Sequence, residues 1–197
     1  MEIVIATKNK GKIGEIRDHK ACSGINWLTF EDFGDFPEVE ETGSSFLDNA
    51  IIKAKAISGF TGKAALADDS GLIVDALGGR PGVYSSRYAG PGATDKENRD
   101  KLLEEIKDVT ELSKRSARFV CSMVLWDPDK GLVFKTEGIC EGKIGFEEKG
   151  SGGFGYDCIF TPEGYKKTMA ELDSKEKNTI SHRGKALLDF CDFIVKI

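Results

Sequence analysis

Residues 2–19 read EIVIATKNKGKIGEIRDH, and the order of apolar and polar residues in this stretch decides the fold class. Residues 2–6 form a short β-branched run, which predicts a buried first strand. The polar loop TKNKGK follows, and GKIGEIRDH then has the character of a helix. Because strand, polar loop and helix in this order are typical of α/β proteins, we expect an α/β fold with a mixed sheet.

The first half of the chain continues in the same manner. Residues 25–30, INWLTF, predict a second strand, and residues 32–43 predict a long loop. Residues 44–59 predict a helix whose first turn carries a capping box of Ser45 and Asp48 and which Gly59 ends. Ala64–Ala67 predicts a short apolar strand that ends at the sequence DDSG. A second capping box, Thr94 with Glu97, predicts the start of another helix.

The second half predicts a hairpin and a last helix. ARFVCSMVLW is apolar on both faces and predicts a fully buried strand, which DPDKG turns back into LVFKTEGIC. The run YDCIF predicts a further strand. Ser181 can cap the last helix. Its predicted buried stripe consists of Leu187, Leu188, Cys191, Ile194 and Val195.

Composition narrows the class of protein. With 197 residues, 40% hydrophobic and 31% charged, the chain predicts a single globular domain over residues 1–197. It has no apolar run of membrane-spanning length and its start lacks a signal-peptide layout, so we expect a cytoplasmic protein that binds no membrane. A net charge of −5 argues against a nucleic-acid partner.

The cysteines give a separate expectation. They number five, and none forms C-x-x-C. With two histidines in the chain, a structural zinc site is improbable, and we expect most thiols to be free and buried, as in a reducing compartment.

The loop between the first strand and first helix is the first candidate site. A helix N-terminus attracts phosphate through unpaired amides and partial positive charge. This loop adds neutral donors and ammonium groups, and its residues are Thr7, Lys8, Asn9, Lys10, Gly11 and Lys12. No P-loop pattern occurs. A lysine-rich loop that simply faces solvent is the alternative.

Two acidic pairs form the second candidate site. Glu40-Glu41 lies in the long loop, and Asp68-Asp69 follows an apolar segment, at an expected strand end where α/β folds place functional groups. Carboxylates together with substrate phosphates bind Mg²⁺. With the lysine loop, they favour phosphoanhydride chemistry. Solvated acids are the alternative, as a snorkelling side chain is for Lys53.

Residues 150–155, GSGGFG, match G-x-G-x-x-G, the glycine spacing of a dinucleotide-binding turn. That turn belongs at the first strand–helix junction, whereas these glycines come late and precede a strand-like run, so the context excludes it. They instead predict a turn that presents Phe154, Gly155, Tyr156 and Asp157 to a base. Burial of the two aromatic residues in the core is the alternative.

Ser181-His182-Arg183 opens the last helix. Neighbouring residues at a helix start seldom face each other, and no nucleophile elbow occurs, so a serine nucleophile is disfavoured. His182 and Arg183 make better donors to a ligand carbonyl or phosphate. A helix cap with surface His and Arg is the alternative.

Taken together, these pieces resemble the inosine/xanthosine triphosphate pyrophosphatases of the Ham1 type. The matching text is ATKNKGK, EETGSSFLDNAIIKAKA, ADDSGLIVDALGGRPGVYSSRYAG, GGFGYD, EKN and ISHRGKAL. The resemblance implies hydrolysis of ITP, dITP and XTP to the monophosphate and pyrophosphate, with Mg²⁺ as cofactor and a homodimer as the assembly. It also implies an elongated α/β structure, with a long mixed sheet flanked by helices and two lobes around a central cleft.

The resemblance also implies roles for matching positions. Glu41 and Asp69 would bind the metal, with Asp69 as the base for the attacking water, Glu40 a less certain neighbour and Asp68 a supporting acid. Thr7, Asn9, Lys12 and Lys53 would hold the triphosphate. The other nucleotide-site residues would be Ser70, Lys177, Phe154 to Asp157, His182 and Arg183.

One departure from the family is visible after GGFGYD, where proline is usual and this chain has Cys158. Cysteine frees φ and restores an amide donor, so we expect a looser loop.

Two other functions remain open from the sequence: a purine-nucleotide sensor without turnover, and a pyrophosphatase for other modified nucleotides.

Overall fold

A computed structural model describes residues 1–22 and 24–196. Its strands and helices, in chain order, are β1 (Glu2–Ile5), α1 (Lys10–Arg17), β2 (Asn26–Leu28), α2 (Phe46–Thr61), β3 (Ala65–Val74), α3 (Asp95–Glu105), β4 (Ser116–Asp127), β5 (Gly131–Ile144), β6 (Phe160–Pro162), α4 (Ser174–Ile180) and α5 (His182–Ile194). The strands form one sheet in the order β2-β1-β3-β4-β5-β6. Because β1 runs parallel to β2 and β3 while β5 runs antiparallel to β6, the predicted mixed α/β sheet is confirmed.

The chain divides into two compact units. Unit 1 comprises residues 1–69, 121–138 and 183–197, and unit 2 comprises residues 70–120 and 139–182. Three strands, β3, β4 and β5, continue from one unit into the other. The single domain over residues 1–197 stays a prediction. None of the helices in the described part of the chain combines the length and apolar character needed to cross a bilayer.

Unit 1 has a core on each face of its strands, because successive side chains of a strand point to opposite faces. In β1, Ile3 and Ile5 join the core under α1 and α5, whereas Val4 belongs to the core under α2. Strand β3 alternates in the same way. All three apolar side chains of β1 are fully buried, as the opening stretch predicts.

Unit 2 has its own core, in which α3 packs against β4, β5 and the segment that contains β6. Leu102 of α3 and Ile106, directly after its end, belong to this core, and Phe119 meets Phe160 edge to face with ring centroids 4.6 Å apart. The capping box of Thr94 and Glu97 is confirmed. The two cores of unit 1 and this core consist of residues drawn from widely separated parts of the sequence.

Two predictions about helices are wrong. Helix α2 does not end at Gly59 but continues to Thr61, because Gly62 adopts the left-handed conformation (φ 65°) that closes a helix. In α5, Leu188 is 49% exposed and Val195, beyond the helix end, is 83% exposed. The buried face of α5 is instead formed by Ala186, Leu187, Phe190 and Cys191.

Two predictions about strands are also wrong. Asp68 and Asp69 do not follow a strand but lie in the middle of β3, which runs unbroken from Ala65 to Val74. The run YDCIF is a turn until Phe160, since the amides of Asp157 and Ile159 donate to the carbonyls three residues earlier. The predicted last helix, which the structure places at His182–Ile194, is preceded by α4, which the sequence analysis did not identify.

The cysteine expectation needs correction. The structure joins Cys22 and Cys191 in a disulfide, with Cα atoms 5.4 Å apart. Cys121 and Cys140 are free and buried, and Cys158 is free and half-buried. The disulfide links the turn after α1 to α5, two segments that are 169 residues apart in sequence.

Candidate functional site

The two neighbouring aspartates of β3, Asp68 and Asp69, contact different helices of unit 1. Adjacent side chains in a strand point to opposite faces. Asp68 accordingly contacts residues of α1 and α5, whereas Asp69 contacts residues of α2. The predicted acidic pair is therefore divided between the two faces of unit 1.

On the α2 face, Asp69 meets a lysine and a second carboxylate. Lys53 Nζ lies 3.0 Å from Asp69 Oδ1 and 2.9 Å from Glu41 Oε1. Asn49, four residues before Lys53 and thus on the same face of α2, donates through Nδ2 to Asp69 Oδ2 at 3.2 Å. One lysine and one amide therefore hold the two predicted metal ligands in place.

The loop that carries Glu41 is fixed to the start of α2. The amide of Gly43 donates to Asn49 Oδ1 at 2.8 Å. A Cβ added at Gly43 would lie 2.5 Å from Asp48 Cβ, so the chain can approach the helix this closely only with glycine. Asn49 thereby orients Asp69 and anchors the Glu41 loop at once, while Glu40 is exposed.

This group carries more negative than positive charge, because two carboxylates, Glu41 and Asp69, share one ammonium, that of Lys53. Burial raises the pKa of Asp69, and the Glu41 carboxylate adds to the rise, against the opposing effect of Lys53. For Lys53, burial disfavours the charge, but Asp69, Asp68 and Glu41 outweigh it and raise the pKa of the ammonium. A cation would relieve the repulsion between the two carboxylates.

The donor set fits a hard divalent cation. Glu41 and Asp69 offer carboxylate oxygens, which such cations prefer. Over residues 1–22 and 24–196, neither acid belongs to a ready cluster of three protein ligands. This composition suits an ion that binds one or two carboxylates and completes its shell with substrate phosphates and water.

On the opposite face, Asp68 is at the centre of a buried ionic network. Lys12 Nζ lies 2.9 Å from Asp68 Oδ2, and Arg183 donates to the same oxygen through Nε and Nη2, at 3.2 and 3.1 Å. Arg183 Nη1 also donates to Glu15 of α1. Although burial disfavours the guanidinium charge, Asp68 and Glu15 raise the pKa of Arg183 well above its usual value.

The lysine loop leads into the N-terminus of α1. Asn9 is the N-cap, and its side chain accepts from the amide of Lys12 at 3.1 Å. Thr7 Oγ1 accepts from the amide of Asn9 at 3.1 Å. Lys8 instead pairs with Asp35 at 2.8 Å, and Lys10 and Gly11 are exposed. Of the three lysines, the structure thus directs Lys12 to the buried acids.

In unit 2, the glycines of GSGGFG pack against the protein's own chain. A Cβ at Gly150 or Gly152 would lie 2.8 or 2.9 Å from the carbonyl oxygen of Ala170. A Cβ at Gly153, where φ is +72°, would lie 2.1 Å from Asp157 Oδ2. The glycines therefore allow a tight turn that brings Phe154 and Asp157 together.

Asp157 organises this turn. Its Oδ2 accepts from the amide of Phe154 at 2.9 Å and from Lys177 Nζ at 2.8 Å. The Lys177 ammonium also lies 5.1 Å from the centroid of the Phe154 ring. Gly155 is bridged to α3, since its carbonyl accepts from Arg99 and its amide donates to Asp95, both at 2.8 Å.

The two aromatic residues of the turn differ. Phe154 is half-buried, whereas Tyr156 belongs to the core of unit 2, where its hydroxyl donates to the carbonyl of Ser85 at 2.8 Å. Burial raises the pKa of Tyr156 far above its ordinary value. Tyr156 thus fits the core alternative, and Phe154 remains the ring that a base can reach.

The remaining predicted residues are placed as follows. His182 is buried and stacks on Phe119, with ring centroids 4.8 Å apart and planes inclined by 12°. Neither His182 nor Arg183 is a surface residue. Ser70 is half-buried in β3, and Ser181 closes the C-terminal end of α4. The Cys158 carbonyl accepts from the Lys149 amide at 2.8 Å, a bond that proline could also accept.

Sequence reading missed three residues of these networks: Asn49, Glu15 and Arg99. Asn49 had a usable signal, because it is a polar residue on the apolar face of α2, four positions before Lys53. Glu15 and Arg99 had none, since each pairs with a residue more than 45 positions away in the sequence.

Comparisons with known proteins identify the family of this chain. The sequence model of the Ham1 family matches residues 3–193. A protein of Desulforamulus reducens described as a dITP/XTP pyrophosphatase is 51% identical over 187 residues, covering 95% of this chain and 92% of the relative. A protein of Oceanobacillus iheyensis with the same description is 48% identical, covering 94% of each chain.

Solved structures of Ham1 proteins match the fold of this chain. A HAM1 protein from Coxiella burnetii matches with a TM-score of 0.88 and 43% identity over 100% of both chains. The Staphylococcus aureus Ham1 protein matches with a TM-score of 0.86 and 40% identity, covering 100% of this chain and 99% of that one. With this agreement over nearly every residue, the chain belongs to the Ham1 family.

Proposed function

We propose that this protein hydrolyses the non-canonical purine nucleoside triphosphates ITP, dITP and XTP to the monophosphate and pyrophosphate. The observation that carries the proposal is the group formed by Glu41, Lys53 and Asp69, which Asn49 fixes in place. Relatives described as dITP/XTP pyrophosphatases support the substrate class.

The triphosphate needs positive charge and amide donors. Lys12 and Lys53 supply two ammonium groups, and the N-terminus of α1 supplies amides behind Asn9. Thr7 adds a hydroxyl. Each lysine already pairs with a carboxylate, so it is held in a fixed position before the substrate arrives. Phosphoryl chemistry depends mainly on such positioning and on neutralising charge.

Magnesium is the cofactor of the proposal. Glu41 and Asp69 would hold the ion, whose bound form supplies charge neutralisation to the phosphate oxygens. Glu41 and Asp69 share one lysine and repel each other, and a bound cation would reduce that repulsion. This is the physical reason for assigning Mg²⁺ to these two residues.

Asp69 is the proposed base. Its carboxylate takes a proton from a water molecule, the water oxygen bonds to the α-phosphorus, and the bond from that phosphorus to the bridging oxygen breaks so that pyrophosphate leaves. Its raised pKa makes Asp69 a better proton acceptor than an ordinary aspartate. Asn49 and Lys53 each hold one carboxylate oxygen, so they orient the group for this transfer.

The purine is assigned to the turn around Phe154 and Asp157, with Lys177 and His182 of the same unit. Hypoxanthine and xanthine carry a carbonyl at the 6-position, where adenine carries an amine. Donors that bond the carbonyl would face another donor in adenine, and an unmet buried donor costs about 1–3 kcal/mol. Phe154 supplies a half-buried ring on which a base can stack.

The test is incubation with dITP, dATP or dGTP in the presence of Mg²⁺, with separate measurement of pyrophosphate and free phosphate. Pyrophosphate released far faster from dITP than from the other two supports the proposal. Free phosphate identifies a phosphatase, and binding without any product identifies a sensor. Release that is faster from modified pyrimidine triphosphates moves the protein to a different substrate class.

The assembly and location are part of the same proposal: a homodimer that acts in the cytoplasm. Sedimentation equilibrium of the purified protein tests the first, since a single species of one-chain mass contradicts it. Fractionation of the native cells tests the second.

A further inference from the structure

A cluster of three metal-binding side chains lies in unit 1, outside the acidic site. His19 and Cys22 belong to the turn after α1, and Cys191 belongs to α5. One ligand atom from each residue lies within 4.8 Å of the other two. The sequence reading judged a zinc site improbable from the number of histidines, yet the fold gathers two sulfurs and one imidazole.

Local structure explains why His19 and Cys22 share a side. The amide of Cys22 donates to the carbonyl of His19 at 3.1 Å, so the two are joined by a 3₁₀-type bond. Side chains three residues apart in such a turn eclipse each other. Phe190 of α5 packs against Trp27 of β2, with ring centroids 6.1 Å apart, and the disulfide holds Cys191 against Cys22.

The surroundings suit a soft or borderline cation. Cys22 and Cys191 are 5% and 2% exposed and belong to an apolar core with Ile16 and Phe190. His19 Nδ1 is buried and has no hydrogen-bond partner among residues 1–22 and 24–196. An unmet buried nitrogen is costly, and a metal ion would satisfy it.

We propose that the reduced form of this cluster, His19, Cys22 and Cys191, binds one zinc ion. Tetrahedral zinc with bonds of about 2.3 Å to sulfur and about 2.0 Å to nitrogen would separate these three ligand atoms by roughly 3.5–3.8 Å. The three ligand atoms lie within 4.8 Å of one another, so zinc binding requires the two sulfurs to move apart once the disulfide is reduced. Because His19 is half-buried, water can occupy the fourth position.

The disulfide and the zinc site exclude each other. A thiol reductant converts the Cys22–Cys191 disulfide to two thiols by a two-electron reduction and is itself oxidised to a disulfide. Zinc then displaces one proton from each thiol and binds both thiolates. Unlike the carboxylates of Glu41 and Asp69, these ligands select a thiophilic cation. The protein therefore has two metal sites of different chemistry.

Cobalt(II) titration tests the proposal. The full-length protein is reduced with a phosphine, freed of reductant under argon and titrated with Co²⁺, whose thiolate complexes show an intense near-ultraviolet charge-transfer band. We expect this band with one equivalent per chain, its displacement by Zn²⁺, and its absence from the oxidised protein. A reduced wild-type protein without the band overturns the proposal.

Variants assign the ligands. Cys22→Ser and Cys191→Ser should abolish the band, and His19→Gln should weaken Zn²⁺ binding by more than about tenfold, the lower end of what even an outer-shell partner contributes. Cys140→Ser is the matched control, because Cys140 is a buried free cysteine of unit 2. A band that survives in Cys191→Ser, or that disappears in Cys140→Ser, contradicts the assignment. Far-ultraviolet circular dichroism confirms that each variant is folded.

Discussion

Replacing Asn49 with alanine tests the acidic site most directly. Asn49 is fully buried and makes two bonds with different purposes. It accepts from the amide of Gly43 at 2.8 Å, which fixes the Glu41 loop, and it donates to Asp69 at 3.2 Å, which orients the proposed base. Alanine removes both bonds and leaves the helix backbone intact.

The size of each effect follows from these contacts. The amide of Gly43 loses its acceptor in a partly buried position, which costs about 1–3 kcal/mol of unfolding free energy. Asp69 loses a hydrogen bond that orients it, and the loss of such a partner beside a metal ligand lowers affinity or activity by about 10–100-fold. We therefore expect a folded but less stable protein with kcat/KM for dITP lower by about 10–100-fold.

Asn98→Ala is the control because its environment matches closely. Asn98 is also a buried helical asparagine; it accepts from the amide of Ala89 at 2.7 Å and donates to an oxygen at 3.2 Å. The oxygen that accepts this bond is the carbonyl of Ser86 and not a carboxylate. The free energy of unfolding should fall by similar amounts in the two variants, whereas kcat/KM for dITP should fall by about 10–100-fold in Asn49→Ala alone.

The measurements are urea unfolding followed by circular dichroism and pyrophosphate release at saturating Mg²⁺ and over a Mg²⁺ titration. If Asn49→Ala is folded and keeps wild-type kcat/KM, the reasoning about Asp69 is refuted. Equal losses of activity in both variants would refute it as well, because the effect would then reflect stability alone.

Three further predictions follow from single contacts. Asp69→Asn should lower turnover by at least about 10²-fold and, in metal-free buffer, should not lower thermal stability near neutral pH. Because the pKa of Asp69 is raised in the folded protein, its contribution to the free energy of unfolding is complete below the ordinary carboxyl pKa and is lost as the pH rises through the pKa of the folded state. Asparagine does not ionise and avoids this loss, and thermal unfolding scans across that pH range test the difference. Gly153→Ala, whose Cβ would lie 2.1 Å from Asp157 Oδ2, should lower the melting temperature more than Gly155→Ala, which meets no atom within 4 Å and carries the backbone strain alone; equal shifts would contradict the packing argument. Burial and Glu105 raise the pKa of Tyr88 to about 12, so stability should fall between about pH 10 and 12, and Tyr88→Phe should flatten that fall in urea unfolding.

The sequence was sufficient for features that depend on neighbouring residues. The strand, loop and helix of residues 2–19 and the capping boxes of α2 and α3 all depend on spacings of a few residues. The resemblance to the Ham1 family also rested on short sequence motifs. The end of α2 was predicted wrongly at Gly59 because a glycine inside a helix and a glycine that closes one look alike in sequence.

Features that depend on distant residues could not be predicted in this way. The network of Asp68 with Arg183 spans 115 residues and the disulfide of Cys22 with Cys191 spans 169. No local pattern indicates that these side chains meet. The burial of His182 is similar, because it depends on a stacking contact with Phe119 of β4. Tertiary packing, and not propensity, determined each of these.

The placement of Asp68 and Asp69 within β3 changes how the acidic motif is understood. An aspartate pair after a strand would present both carboxylates to one ligand, but a pair within a strand cannot, because the side chains alternate between faces. Asp69 is then available to the group of Glu41 and Lys53, while Asp68 joins α1 to Arg183.

The same distinction explains the glycines of residues 150–155. Their G-x-G-x-x-G spacing fits a phosphate-binding turn, yet Gly150 and Gly152 are required by the carbonyl of Ala170 and Gly153 by the carboxylate of Asp157. A glycine reports that some backbone or side chain approaches closely, and only the fold identifies which one. Here the close approach serves Asp157, which holds Phe154 and Lys177 in position, so the glycines act on a ligand through the protein's own turn.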